Sequence, residues 1–170
     1  MIVYLCGGIN GLSDSECRDW REIAKSLLHA ETRDPMRRDY RGIEDAHVTD
    51  IVVGDLADIN DSDFVLMNAT RPSWGTGMEA FYAASKGKKV VAWVGERGSI
   101  RVSPWLRYFC VEIHESLTKA CESINAKIAA PQFPTDPASG RSFDGHYDDL
   151  LPCGCVEFYR GGRVRCESHR

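Results

Sequence analysis

The sequence lacks the features that would point to a membrane or a polymer as its partner. No apolar run approaches the roughly 20 residues that a membrane-spanning helix needs, and the short apolar start has no basic segment before it. Basic residues are not in excess either, since 21 lysines and arginines against 25 aspartates and glutamates give a net charge of −4. Such a chain offers no broad basic surface to a nucleic-acid backbone. We therefore expect a cytoplasmic protein that binds a small molecule rather than a membrane or a nucleic acid.

The cysteines do not indicate a disulfide framework, because their number, seven, is odd. In a reducing compartment they are more typical of core residues, metal ligands or catalytic groups. Cys6, Cys17, Cys110 and Cys121 lie within apolar patterns, and we predict that they are core residues. The other cysteines lie near the C-terminus.

Short apolar strands alternate with helical patterns over residues 1–128. The first strand, residues 2–6, ends at a Gly-Gly turn, and the capping box Ser13-x-x-Glu16 then predicts the start of a helix. The same alternation predicts further strands over residues 64–67, 90–94 and 109–113, and helices over residues 48–59, 78–84 and 117–124. Uninterrupted apolar strands between helices are typical of a parallel sheet that is covered on both faces. We predict a doubly wound α/β domain.

A small C-terminal module is predicted beyond this domain. Residues 129–149 hold three prolines and little apolar periodicity, which is typical of a linker or arm, and residues 150–170 have a hairpin pattern around Gly161-Gly162. The hairpin carries a C-x-C-x10-C-x2-H motif, and its members are Cys153, Cys155, Cys166 and His169. Four such ligands can hold zinc tetrahedrally and staple a short segment. We predict a structural zinc site, with reduced thiols or a conditional disulfide as the alternatives.

One carboxylate follows a glycine-rich run and precedes a helical pattern. Gly75 and Gly77 let the backbone approach a ligand closely, and Glu79 is expected in the first turn of the following helix. There the helix dipole would keep the carboxylate ionised at pH 7. Glu79 could then attack an electron-poor carbon such as the anomeric carbon of a sugar. The alternative is that it only complements the helix dipole.

Two more side chains are candidates for the same site. Asp55 lies within the apolar stripe of its predicted helix, and an inward-facing carboxyl is costly unless it is used or paired. Tyr4 lies near the carboxyl end of the first strand, so its hydroxyl could reach the same cleft. The alternative for Tyr4 is simple packing. The neighbouring Asp58 is expected at the surface.

Three segments resemble the nucleoside 2-deoxyribosyltransferase family and its relatives, the nucleoside 5′-monophosphate N-glycosidases. The segments are "YLCGGI", "GDLADINDSDFVLMN" and "PSWGTGMEAFYAASKGKKVVAWV", within about residues 2–125. The resemblance implies a flavodoxin-like five-stranded parallel sheet. It makes Glu79 the nucleophile that forms a covalent deoxyribosyl intermediate, with Asp55 assisting the base and Tyr4 orienting the carboxylate. It also implies catalysis without a cofactor, substrate contacts from Gly7 and Gly8, and a homodimer or larger homo-oligomer.

The resemblance leaves the acceptor of the sugar open. Ser73 occupies a position where the transferases often have Asp. The monophosphate hydrolases have Ser at this position, and there the Ser and the adjacent glycines, here Gly75 and Gly77, hold the 5′-phosphate. Ser103 matches a second phosphate-binding Ser or is a helix N-cap. Asn10 occupies the place of a phosphate-binding Arg. Arg37, Arg38 and Arg41 could compensate by binding a phosphate or framing the base, with a solvated basic loop as the alternative. We favour a transferase acting on a nucleoside and a free base, with the hydrolase as the alternative. A non-catalytic nucleotide-binding module is the alternative of another class.

Overall fold

The computed structural model describes residues 1–95 and 102–130, and the fold below is that of these residues. Within them, five parallel strands form one sheet in the order β2-β1-β3-β4-β5. The strands are β1 (Ile2–Cys6), β2 (Glu31–Arg33), β3 (Phe64–Asn68), β4 (Lys89–Trp93) and β5 (Glu112–His114). This strand order is that of the flavodoxin-like doubly wound fold. The predicted fold class is therefore confirmed.

Helices connect the strands and cover the sheet. They are α1 (Asp14–Leu27), α2 (Val48–Asp61), α3 (Trp74–Ser85), α4 (Pro104–Phe109) and α5 (Leu117–Ala129), with short 3-10 helices at Pro35–Arg38 and Glu44–Ala46. The predicted capping box starts α1, because the Ser13 hydroxyl accepts from the Glu16 N–H and the Glu16 carboxylate accepts from the Ser13 N–H at 3.0 Å. In the described part of the chain, no helix has the length and apolar character that a membrane crossing requires.

The core has two layers, one on each face of the sheet. Val3 and Leu5 of β1 pack with α1 and α5, whereas Tyr4 and Cys6 pack with α2 and α3. This division follows from the alternation of side chains along a strand. The four cysteines expected in the core are all buried and free, and they are Cys6, Cys17, Cys110 and Cys121.

Three elements differ from their predictions. The strand β2 was not predicted, because Glu31–Arg33 is a short, polar strand at the edge of the sheet with no apolar run to mark it. The last strand is Glu112–His114 rather than residues 109–113, since α4 extends to Phe109. Helix α3 begins at Trp74, four residues before the predicted start, because the glycines that suggested a loop lie inside its first turns.

The apolar stripe of α2 is only partly buried. Ile59 is fully buried, but Val48 and Val52 of the same stripe are exposed. The stripe therefore predicted the helix correctly, but not which part of it packs on the sheet.

Candidate active site

The candidate site lies where the order of strands along the sheet changes direction. Strand β1 pairs with β2 on one side and with β3 on the other, and in doubly wound folds a crevice forms there at the carboxyl ends of the strands. The β1 side chains that face α2 and α3 are Tyr4 and Cys6. They meet groups that these two helices contribute.

Glu79 reaches this place from the second turn of α3. The Tyr4 hydroxyl donates a hydrogen bond to its Oε2 atom at 3.2 Å. Burial raises the pKa of Glu79 to about 7, although hydrogen bonds from Cys6 and Tyr4 act in the opposite direction. The expectation that Glu79 lies in the first helical turn and is fully ionised at pH 7 is therefore wrong. Because the helix starts at Trp74, its dipole acts on the carboxyl less than burial does.

Tyr4 and Cys6 present protonated groups to this carboxyl. Burial, followed by the negative charge of Glu79, raises the pKa of Tyr4 far above its usual range. Burial likewise raises the pKa of the Cys6 thiol. The thiol also lies 3.6 Å from the carbonyl oxygen of Thr76 in the first turn of α3. Both groups are therefore protonated at neutral pH. Tyr4 donates to the Glu79 carboxyl, whereas the hydrogen bond of the Cys6 thiol goes to the Thr76 carbonyl oxygen.

Asp55 acts on the same hollow from α2. Its negative charge raises the pKa values of Tyr4, Cys6 and Glu79, so Asp55 acts electrostatically on all of these groups. Burial raises the pKa of Asp55 itself, while a hydrogen bond and the charge of Arg38 oppose this rise. The structure thus brings together the side chains of Tyr4, Asp55 and Glu79, which the sequence singled out as catalytic candidates.

Sequence reasoning missed the burial of a further carboxylate beside Asp55 and the pairing of Arg38 with both aspartates. Asp58 was expected at the surface, but its side chain is only 7% exposed, and it accepts hydrogen bonds from Arg37 and Arg38. Arg38 also donates to Asp55 at 2.9 Å. The i,i+3 spacing of the two aspartates and the adjacent arginines in "DPMRR" were the available signals.

The Gly7-Gly8 segment follows β1 and has no room for a side chain at its first position. A Cβ atom at Gly7 would lie 2.7 Å from Cζ2 of Trp20 and 3.1 Å from the Cβ atom of Asn68. The fully buried Arg21 donates to the Gly7 carbonyl oxygen at 2.9 Å. The segment is therefore held by packing against Trp20 and by this hydrogen bond.

The remaining binding candidates lie at different places around this turn. Ser73 is the N-cap residue of α3 but makes no capping hydrogen bond, and its Oγ lies 3.8 Å from the Cβ position of Gly8. Asn10 is exposed in the loop that follows Gly8. On the α3 side, the Cβ position of Gly75 lies 3.7 Å from Oε1 of Glu79, and that of Gly77 has open space around it. Oε1 of Glu79 is therefore flanked by backbone without a side chain.

Among the described residues, no contact joins Ser103 to this group, and Arg37 is joined to it only through Asp58. Ser103 is the exposed N-cap residue of α4, with Pro104 at the first helical position, but its side chain makes no capping hydrogen bond. Arg37 donates to Asp58 and to the carbonyl oxygen of Asp34, so its guanidinium is already paired. Their roles in substrate binding remain predictions.

No cluster of potential metal ligands occurs within residues 1–95 and 102–130. The predicted zinc ligands lie outside the described residues, as do the predicted linker beyond residue 130 and the predicted hairpin. The zinc site therefore stays a prediction.

Comparison with known proteins identifies solved structures with a similar fold but no relative by sequence. No protein-family model matches the chain, and no curated protein matches it by sequence. A solved 2-deoxyribosyltransferase from Bacillus psychrosaccharolyticus is similar with a TM-score of 0.57 and 15% identity over 71% of this chain and 90% of that protein. A conserved protein from Enterococcus faecalis V583 is similar with a TM-score of 0.58 and 15% identity over 74% and 98% of the two chains. These likenesses establish a shared fold.

Proposed function

We propose that the protein breaks the N-glycosidic bond of a 2′-deoxynucleoside through a covalent sugar–Glu79 intermediate and passes the sugar to another base. The observation that carries this proposal is the partly buried hydrogen bond from Tyr4 to Glu79, on which the charge of Asp55 also acts. The fold shared with the solved 2-deoxyribosyltransferase supports the choice of substrate class. Glycosyl transfer with covalent catalysis needs these two carboxyl groups on either side of one glycosidic bond.

The first step forms the bond between Glu79 and the sugar. An ionised Glu79 oxygen attacks C1′, the C1′–N bond breaks, and its electron pair passes to the base nitrogen. Asp55 supplies the proton that the leaving base needs. While Asp55 carries that proton it no longer raises the pKa of Glu79, so the same form favours an ionised Glu79. In the second step a nitrogen of the incoming base attacks C1′, its proton returns to Asp55, and Glu79 leaves as a carboxylate.

Tyr4 supports this reaction by holding the nucleophile. Its hydroxyl donates to Oε2 of Glu79, and the other carboxyl oxygen, Oε1, lies on the side of Gly75. A carboxyl with a pKa of about 7 is a stronger nucleophile, once ionised, than one with an ordinary pKa. The donated hydrogen bond orients the group without transferring a proton, because Tyr4 stays protonated.

A second candidate function is hydrolysis of a nucleoside 5′-monophosphate with water as the acceptor. The observation in its favour is Ser73, whose hydroxyl makes no capping bond and lies beside Gly8 at the start of α3. Free N–H groups at a helix start, together with such a hydroxyl, suit a phosphate group. The two functions share Glu79, Asp55 and Tyr4 and differ in the acceptor and in the 5′-phosphate of the substrate.

Three incubations separate these functions. The protein is given a deoxynucleoside alone, then the deoxynucleoside with a second free base, and then the deoxynucleoside 5′-monophosphate. A new nucleoside in the second incubation supports the transferase, whereas base release from the monophosphate only supports the hydrolase. Tight binding without base release in any incubation, unchanged by Glu79→Gln, would favour a binding module and contradict both.

We also propose that the active protein is a homodimer or a larger homo-oligomer. Large apolar side chains are exposed on α2, α3 and α4, among them Val53 (59%), Met78 (70%) and Trp105 (69%). Helix α3 packs between the other two, and rings of α3 and α4 are in contact, with Phe81 and Phe109 centroids 5.2 Å apart. Apolar surface of this kind marks an interaction site. A second copy covering it would lie against the helices that carry Asp55 and Glu79.

A further inference from the structure

Arg38 joins two carboxylates of helix α2 through one nitrogen atom. Its Nη2 atom donates to Oδ1 of Asp55 at 2.9 Å and to Oδ2 of Asp58 at 2.7 Å. Among residues 1–95 and 102–130, no donor reaches the other oxygen of Asp55. Arg38 thus fixes one oxygen of this carboxyl group and leaves the second available.

The path of Arg38 across α2 depends on the absence of a side chain at Gly54. A Cβ atom at Gly54 would lie 2.8 Å from Nε, 3.0 Å from Cζ and 3.1 Å from Nη2 of Arg38. Glycine inside a helix costs about 0.5–1 kcal/mol relative to alanine, so this position works against the stability of the helix. The contact with the guanidinium gives a physical reason for glycine at this position.

Asp58 anchors the guanidinium from the far side. Its two oxygens accept from Arg37 and Arg38 separately, and its side chain is almost fully buried. Burial acts to raise the pKa of Asp58, but the hydrogen bonds from both arginines outweigh it and lower the pKa. Asp58 is therefore an ionised anchor, and Arg37 keeps it paired even if Arg38 is removed.

We propose that Arg38 is a positioning residue for Asp55. Asp58 anchors the guanidinium of Arg38, and Gly54 leaves room for it. Arg38 thereby holds Oδ1 of Asp55 so that Oδ2 of Asp55 faces the hollow that contains Glu79. The inference deepens the proposed function and rests on it for the role of Asp55. In that reaction Asp55 exchanges a proton with the departing base, and a proton donor displaced by about 1 Å can cost on the order of 100-fold in rate. Arg38 acts through Asp55 and does not touch the substrate.

Charged and titratable groups face Asp55 from each element packed around it. They are Arg37 and Arg38 from the 3-10 helix Pro35–Arg38, Asp58 from α2, Tyr4 and Cys6 from β1, and Glu79 from α3. Of these, the arginines favour the ionised form of Asp55 and Asp58 disfavours it. Removing Arg38 therefore raises the pKa of Asp55.

The first test reads this effect without enzymatic activity. The Asp55 carboxyl carbon is titrated by NMR in the wild type, Arg38→Met, Gly54→Ala and Arg18→Met. We expect a higher pKa of Asp55 in the first two variants and no change in Arg18→Met, which removes an α1 guanidinium paired with Asp14 and Asp39. Gly54→Ala removes no charge, so a change in the pKa of Asp55 in this variant reports displacement of Arg38. The variant helix can be more stable than that of the wild type without affecting this conclusion. An unchanged titration in Arg38→Met or Gly54→Ala would overturn the proposal.

The second test uses the reaction. With an active wild type, Arg38→Met and Gly54→Ala should lower kcat by about 10- to 100-fold and change KM by less than about threefold, since orientation and not binding is lost. Arg38→Lys, with one charge but no planar fork, should retain part of the rate. Unchanged kcat in Arg38→Met would also overturn the proposal. A wild type that releases no base from any nucleoside or nucleotide would instead refute the proposed function, and the NMR titration would still decide the placement of Arg38.

Discussion

Tyr4 and Glu79 lie 75 residues apart in the chain, and the hydroxyl of the first donates to a carboxyl oxygen of the second at 3.2 Å. The contact ties strand β1 to helix α3 at the crevice beside the switch point of the sheet. Tyr4 is fully buried and Glu79 is half-buried, and a partly buried hydrogen bond to a charged acceptor contributes more than an exposed one. It is also the bond on which the orientation of the proposed nucleophile depends.

Replacing Tyr4 by Phe should move the acidic limb of the pH–rate profile to higher pH. Glu79 must be ionised to attack, so activity falls as the pH drops through its pKa of about 7. The Tyr4 hydrogen bond favours the ionised carboxyl, and its loss raises that pKa further. We also expect kcat to fall by about 10- to 100-fold at the optimum. The measurement is kcat/KM for base exchange between pH 5 and 9.

Tyr82→Phe on helix α3 is the matched control for this experiment. Its hydroxyl donates to Asn60 at 3.1 Å, outside the Glu79 hollow. The profile of this variant should coincide with that of the wild type. A profile of Tyr4→Phe that moves to lower pH, or one that does not move, would contradict the assigned role of Tyr4.

Glu79→Gln should abolish base exchange and stabilise the fold above neutral pH. The pKa of Glu79 rises from 4.5 to about 7 on folding, so the stability it contributes is fully present below pH 4.5 and is lost as the pH rises through 7. Glutamine does not titrate. The variant should therefore exceed the wild type by up to roughly 3 kcal/mol at pH 8, at 1.36 kcal/mol per pKa unit, with the advantage shrinking toward pH 4.5.

At Glu112, replacement by glutamine is expected to change the stability at pH 8 in the opposite direction, which makes this residue a suitable comparison. Hydrogen bonds from Lys127 and Ser123 lower the pKa of Glu112 to about 2, so its contribution is present above pH 4.5 and is lost as the pH falls through 2. Glu112→Gln should thus be less stable than the wild type at pH 8. Thermal unfolding of both variants at pH 5 and 8 measures the two signs. If Glu79→Gln were less stable than the wild type at pH 8, a raised pKa of the Glu79 carboxyl in the folded protein would be excluded.

The sequence predicted the parts of the fold and site that depend on local pattern. Apolar runs fixed the strands β1, β3 and β4, and the stripe of α2 placed Asp55 on an inward side. The pairing of Asp58 could not be predicted, because it depends on arginines 20 or more residues away in the chain. The raised pKa of Glu79 could not be predicted from the sequence either, since it depends on burial against β1. Local rules describe helices and strands, whereas charge pairing and desolvation depend on tertiary contacts.

Gly7→Ala should destabilise the protein, because the added methyl group has no room. Its Cβ atom would lie 2.7 Å from the buried ring of Trp20 and 3.1 Å from Asn68, so the ring or the turn must move. Overpacking of this kind costs about 1–3 kcal/mol. Gly77→Ala is the matched control, since its Cβ position has nothing within 4 Å and an alanine favours the helix. Chemical denaturation should show a loss of stability at Gly7 and none at Gly77.

A charge on the exposed apolar surface of α2 and α3 should dissociate the proposed oligomer. Val52 and Met78 are 50% and 70% exposed, and burying either against a second copy would make a carboxylate there costly. We expect Val52→Glu and Met78→Glu to reduce the mass in light scattering from a multiple of 19.0 kDa to that of one chain. Ile23→Glu on α1, on the other face of the sheet and also exposed, should leave the mass unchanged. A wild type of 19.0 kDa at micromolar concentration would refute the oligomer, and an equal effect of Ile23→Glu would refute this placement of the interface.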